Sequence, residues 1–309
     1  MRAPDVLLIG AMKAGTTSLY EDLRAHPNIA FPNGKEPGHL LREDVGTDSG
    51  RRAMHDRIGR VRDGVRIGDA TVSYAMRPHF GDVPTRALAV CPSHARVLYL
   101  VRNPIHRAIS HHHYDLAMGD CSGDFDREFR RNAYFLDGGR YAYQLEPWLA
   151  AFGPDRVLVL RFEDFVAARA EHLDRVLAFL GMGAGAPGAA AADAAEGARG
   201  AKVHHRTAEL RVASGLGGVV ARSAAYRRLV RPLVPEGVRR LLRRGSSPAP
   251  PPRPAPPSPA TLSRMIEAYE PEQDRLAGLL GGGAPRWDLR ATADELRRNT
   301  GGDPSHPAR

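Results

Sequence analysis

The stretch PDVLLIGAMKAGTTSLYEDLRAHP, Pro4 to Pro27, decides the fold. VLLIG is a short apolar run ended by Gly10, the pattern of a strand buried on both faces. After the loop GAMKAGTT (Gly10–Thr17), Leu19 and Leu23 lie four apart on one helical face, and Pro27 stops that helix. The sequence therefore predicts strand, glycine-rich loop and helix. In this setting the free N–H groups and positive dipole end of a helix N-terminus bind anions. The loop departs from the Walker A pattern, which puts lysine after the second glycine. Thr16 holds that place and Lys13 lies inside the loop. Lys13, Ala14, Gly15, Thr16, Thr17 and Ser18 are the expected phosphate- or sulfate-binding set. Asp69, at the end of VRIGD, could serve as a Walker B carboxylate, but without the displaced lysine the triphosphate cradle is incomplete and ATP hydrolysis is disfavoured.

Outward from this unit, VRIGDAT (65–71), RVLYLVR (96–102) and RVLVLRF (156–162) read as further strands. NPIHRAISHHHYDLAM (103–118) reads as a helix capped by Asn103 with Pro104 at its first position. Residues 142–152 and 170–181 read as helices too. Strands alternating with helices predict a P-loop-like α/β three-layer sandwich, with a central parallel sheet flanked by helices. A single domain over 4–290 is expected. Within it, 181–200 reads as a low-complexity loop, 203–244 as a basic helical, lid-like segment and 246–259 as a proline-rich linker. Helices follow over 259–281, with a break or kink at Pro271, and 297–309 reads as a frayed tail.

The 309 residues carry 42% hydrophobic side chains, enough for a core, and a net charge of +9. That charge suits an anionic ligand without choosing among nucleotide, nucleic acid, acidic sugar and membrane. Two cysteines exclude a disulfide framework and a four-cysteine zinc site. No apolar run reaches the length of a membrane span, so a soluble, cytoplasmic protein is expected. His111, His112 and His113 are consecutive on a helix and point about 100° apart, which does not suit a shared metal. Two more features carry chemistry. KEPGHLL (35–41) places Glu36 near the phosphate loop as a candidate general base, and Arg102 at a strand end suits a second phosphate.

KAGTTSL, KEPGHL and RNPIHRAIS, in this order, resemble the motifs of sulfotransferases that use 3′-phosphoadenosine 5′-phosphosulfate (PAPS), in the bacterial and heparan-sulfate-type branch. GRYAYQLEPWLAAFGPDRVLVLRFEDF (139–165) and EAYEPEQDRLAGLLG…W resemble that family's later regions. The resemblance implies transfer of a sulfuryl group from PAPS to a hydroxyl or amine of a carbohydrate, glycolipid or secondary metabolite, releasing adenosine 3′,5′-bisphosphate. It assigns Lys13 and Glu36 as catalytic. Lys13 to Ser18, Arg102 and Ser110 would bind the donor, with Lys202 and Arg206 as counterparts of the family's loop that closes over the nucleotide. It implies no metal and no nucleic-acid partner. Residues 219–244 offer a lid, an acceptor face or a peripheral membrane contact. Gly38 and Leu40–Leu41 stand where several members have histidine and aromatics, a departure on the acceptor side. A small-molecule kinase or other P-loop-like nucleotide binder, and a non-catalytic basic nucleotide-binding module, remain the alternatives.

Overall fold

A computed structural model describes residues 1–182 and 255–300, with side chains to 298. The expected segments at 183–200, 203–244 and 246–254, with Lys202 and Arg206, lie outside the described residues. Among the described residues there are five strands: β1 (Val6–Gly10), β2 (Ile29–Ala30), β3 (Arg66–Ala70), β4 (Arg96–Val101) and β5 (Val157–Arg161). They form one parallel sheet in the order β2-β3-β1-β4-β5. All five β1 residues are buried, as a run apolar on both faces requires. Alternation divides them between two cores. Leu7 and Ile9 join Val97, Tyr99 and Val101 on one face. Val6 and Leu8 join Leu98 and Leu100 on the other.

The second face is covered by α1 (Thr16–Ala25), α8 (Phe162–Ala167) and α9 (Arg169–Phe179) through Leu19, Leu23, Phe165 and Val176. The first face is covered by α2 (Asp48–Ile58), α3 (Val83–Val90), α4 (Pro104–Met118), α5 (Phe125–Arg131), α6 (Tyr134–Asp137), α7 (Tyr141–Phe152), α10 (Pro259–Leu280) and α11 (Leu289–Thr300). This is the three-layer sandwich expected from the alternating pattern. Sequence periodicity does not reveal α2, α3 or α11. In α2 only Gly50, Met54 and Ile58 are buried, too few to write a clear stripe.

Caps follow the sequence closely. The Asn103 side chain accepts from the N–H groups of Ile105 and His106, and Ser258 caps α10 ahead of Pro259. Of the break or kink expected at Pro271, no break occurs: the helix is continuous through it. Pro271 is exposed, while Leu262, Met265, Ile266, Tyr269 and Leu276 hold α10 against the core on both sides of it. Packing there outweighs the lost backbone hydrogen bond. Residues 297–300, expected to fray, complete α11, which is anchored by buried Trp287, Leu289 and Ala293. The three histidines of α4 are all buried. His111 packs its ring against Phe135, and His112 Nε2 meets the Ser122 carbonyl at 2.7 Å.

Candidate active site

The loop after β1 is shaped by two left-handed residues. Gly15 (φ 88°) caps α1, and Lys13 (φ 67°) pays strain for its position in the turn. Glycine is required at 15 for a second reason. A β-carbon there stands 2.5 Å from the Phe162 ring at the end of β5. Gly15→Ala is expected to cost about 2–3 kcal/mol in urea unfolding and to displace the loop. Among the described residues, no acceptor takes the N–H groups of Gly15, Thr16 or Thr17. The Ser18 hydroxyl is buried and has no hydrogen-bond partner among the described residues. Free N–H groups at a helix N-terminus are the kind of donors that suit an anion. Ala14 leaves the expected set: its N–H turns back to the Ala11 carbonyl at 3.1 Å, and its methyl is buried in the core.

Lys13 points its ammonium over the Tyr114 ring of α4, 4.3 Å from the centroid. Burial first, then the neighbouring charges of Lys35 and Arg102, lower its pKa to about 8, with Asp115 opposing the change. The group is therefore cationic below pH 8 and loses its charge above it. Anion binding favours the charged form. The affinity for adenosine 3′,5′-bisphosphate should thus be greatest below pH 8 and fall as pH rises through it, by up to about tenfold per unit in calorimetric titrations.

Glu36 stands beside this loop because its own backbone is tied to the next strand. Its N–H donates to the Ala70 carbonyl at the end of β3 (2.8 Å), and its φ of 61° turns the chain. One carboxylate oxygen, Oε2, accepts from the Val72 N–H at 3.0 Å, and Oε1 accepts from Lys35 Nζ at 2.7 Å. Behind it Asp69 is fully buried. Asp69 accepts from the hydroxyls of Thr71 (2.7 Å) and Tyr74 (2.5 Å), which in turn accept from the N–H groups of Gly38 and Leu40. Burial raises the Asp69 pKa to about 6. Asp69 thus serves as the anchor of the Glu36 loop, a role its place at a strand end does not announce.

Arg102 follows β4. Its guanidinium lies 4.9 Å from the Phe162 ring and donates to the Lys13 carbonyl at 3.3 Å. Tyr141 donates its hydroxyl to the Arg102 carbonyl at 2.5 Å. No carboxylate among the described residues forms an ion pair with Arg102, and burial lowers its pKa. Ser110 is half-buried, two turns into α4 and one turn before Tyr114, so it shares the helical stripe that meets Lys13. Arg107, the second arginine of RNPIHR, is fully buried and donates to the Phe135 carbonyl, which makes it structural. Glu163 is structural as well. It accepts from the Asn103 N–H and from the Trp287 indole, at 2.9 and 3.0 Å.

Lys13, Glu36 and Arg102 therefore come from the loops that follow β1, β2 and β4, with the Glu36 loop tied to the carboxyl end of β3, next to the central strand. This is the crevice where open parallel sheets bind ligands. Sequence reading misses Phe162 and Tyr114, which shape it, and offers Asp69 as a Walker B carboxylate where the structure makes it the anchor of the Glu36 loop. Only Phe162 left a signal, as an aromatic closing a strand next to the acidic pair 163–164. Among the described residues, no three His, Cys, Asp or Glu side chains are grouped to hold a metal ion.

Comparison with known proteins agrees with this geometry. The family model of the sulfotransferase domain matches residues 3–189. Mouse heparan sulfate glucosamine 3-O-sulfotransferase 3A1 is 32% identical over 188 residues, 58% of this chain and 46% of that protein. Human bifunctional heparan sulfate N-deacetylase/N-sulfotransferase 1 is 28% identical over 202 residues, 59% of this chain and 22% of that protein. The chain thus spans half or less of the length of these two relatives. A crystal structure of a sulfotransferase from Alicyclobacillus acidocaldarius shares the fold with a TM-score of 0.58 at 21% identity, covering 96% of this chain and all of that one. With a family model matched over more than half its length and the motif residues gathered at one sheet edge, the chain belongs to the sulfotransferase domain family.

Proposed function

We propose that this protein transfers a sulfuryl group from PAPS to a hydroxyl or amine of an acceptor, by in-line displacement at the carboxyl edge of the sheet. The observation that carries this reading is the meeting of Lys13, Arg102 and an open helix N-terminus beside the Glu36 carboxylate. PAPS supplies the activated sulfuryl group and a bisphosphate leaving group. The N–H groups of Gly15 to Thr17 and the hydroxyls of Thr16, Thr17 and Ser18 hold the 5′-phosphate. Arg102 and Ser110 take the 3′-phosphate, which distinguishes this nucleotide from ATP. Glu36 accepts the acceptor's proton as oxygen or nitrogen attacks sulfur. Lys13 neutralises the charge that grows on the oxygen bridging sulfur and phosphorus as their bond breaks.

The relatives' names point to a sugar acceptor, and a glycan or glycosylated molecule is the acceptor class proposed. Lys202, Arg206 and the 219–244 segment, lying outside the described residues, enter only as candidates for nucleotide closure and for acceptor or membrane contact. Among the described residues, no helix is long and apolar enough to cross a membrane. A cytoplasmic location is part of the proposal. The test is thermal shift with adenosine 3′,5′-bisphosphate, ATP·Mg²⁺ and an oligonucleotide, followed by labelled PAPS in a host extract. Stabilisation by the bisphosphate and a labelled product are expected. Stabilisation by ATP·Mg²⁺ alone points to a kinase, and by oligonucleotide alone to a nucleic-acid-binding module.

A further inference from the structure

Of the 44 lysines and arginines in this chain only three are lysines: Lys13, Lys35 and Lys202. Arginine serves nearly everywhere else, on helix faces, in surface ion pairs and as the buried Arg107. Both lysines among the described residues stand at the proposed transfer centre. A composition this biased keeps an ammonium where a guanidinium will not serve, because the ammonium is a compact point charge that fits beside another cation and the guanidinium is a broad planar fork. Lys13 already has a role. Lys35 has none.

The geometry of Lys35 differs from that of a solvated surface pair. Its side chain is 23% exposed, and its Nζ meets Glu36 Oε1 at 2.7 Å. Its charge is also the first of those that lower the pKa of Lys13. A pair as partly exposed as this contributes at most about 1 kcal/mol to stability, so folding alone is a weak reason to place Lys35 beside Lys13. We propose that Lys35 is a positioning residue for sulfuryl transfer, its ammonium fixing Glu36 Oε1 while the Val72 N–H fixes Oε2, so that the carboxylate is aimed before the acceptor arrives. This rests on the proposed function above. In the transfer step the acceptor's proton passes to Glu36, the new bond to sulfur forms, and the electron pair of the breaking sulfur–oxygen bond leaves on the 5′-phosphate. Glu36 is neutral once it holds the proton. The charge of Lys35 is then unopposed on that side and, beside Lys13, faces the anionic leaving group.

Two measurements on the full chain test this. The first is competitive acetylation with acetic anhydride, read by mass spectrometry with the exposed Met1 amine as standard. Glu36→Gln should raise Lys35 acetylation at least about threefold by releasing the ammonium, and adenosine 3′,5′-bisphosphate should protect Lys13 and Lys35 together. Unchanged Lys35 reactivity in Glu36→Gln, or protection of Lys13 without Lys35, overturns the proposal. Protection of neither lysine overturns the nucleotide reading itself, so the two failures are distinct. The second is transfer of label from PAPS to host-extract acceptor. Lys35→Ala should lower kcat about 100-fold and Lys35→Arg about tenfold, with the bisphosphate Kd within about threefold of wild type in both. A kcat within threefold of wild type for Lys35→Ala, or a parallel loss of kcat and bisphosphate binding, sinks the idea.

Discussion

Lys13→Ala is expected to abolish sulfuryl transfer, lowering kcat by about 10³-fold, and to leave the fold intact. The size follows from the place of the ammonium. It is the cation of the loop that also presents the open N–H groups of Gly15 to Thr17, and Arg102 is assigned to the 3′-phosphate. No other side chain of that loop carries a positive charge. The stability side has a definite sign. The folded-state pKa of about 8 lies below the ordinary 10.5, so the unfolded chain binds the proton more tightly. Stability tied to this group therefore rises with pH between about 8 and 10.5, and at neutral pH the buried charge opposes folding. Removing it costs the contact of its ammonium with the Tyr114 ring, and Tm should stay within a few degrees. A variant that retains near-normal transfer removes Lys13 from the mechanism. A variant that fails to fold leaves Lys13→Met, which keeps the stem, as the variant that decides.

Glu36→Gln should lower kcat by about 10²–10³-fold while changing the bisphosphate Kd by less than about threefold. The amide keeps the size of the side chain and still accepts from the Val72 N–H, so the loop geometry held by Asp69, Thr71 and Tyr74 persists. What disappears is the capacity to take a proton. Stopped turnover with intact nucleotide binding is the signature of a base. Equal loss of turnover and affinity assigns Glu36 to donor binding instead.

Much of this site is legible in the sequence because its central residues are fixed by local chain geometry. A strand that ends in glycine and feeds a helix creates an anion site within a dozen residues, and Lys13, Thr16, Thr17 and Ser18 belong to that one unit. Arg102 is legible for the same reason, as the residue between β4 and the Asn103-capped helix. Ala14 fails because a residue's place in a loop does not say whether its N–H points outward or closes the turn on Ala11. Of the break or kink expected at Pro271, the break fails because local propensity cannot weigh the core contacts that carry α10 through it.

The amino-acid sequence by itself determined the alternation of strand and helix, the parallel sheet and the chemical kinds of group at its edge. Those follow from patterns a few residues long. Only the tertiary structure decided that Phe162 lies against Gly15, that Tyr114 lies under Lys13, and that Asp69 anchors the loop holding Glu36. The reason is sequence separation: Gly15 and Phe162 are 147 positions apart, and their meeting depends on the side-by-side order of β1, β4 and β5. Strand order is an outcome of packing between distant segments, and no local pattern records it.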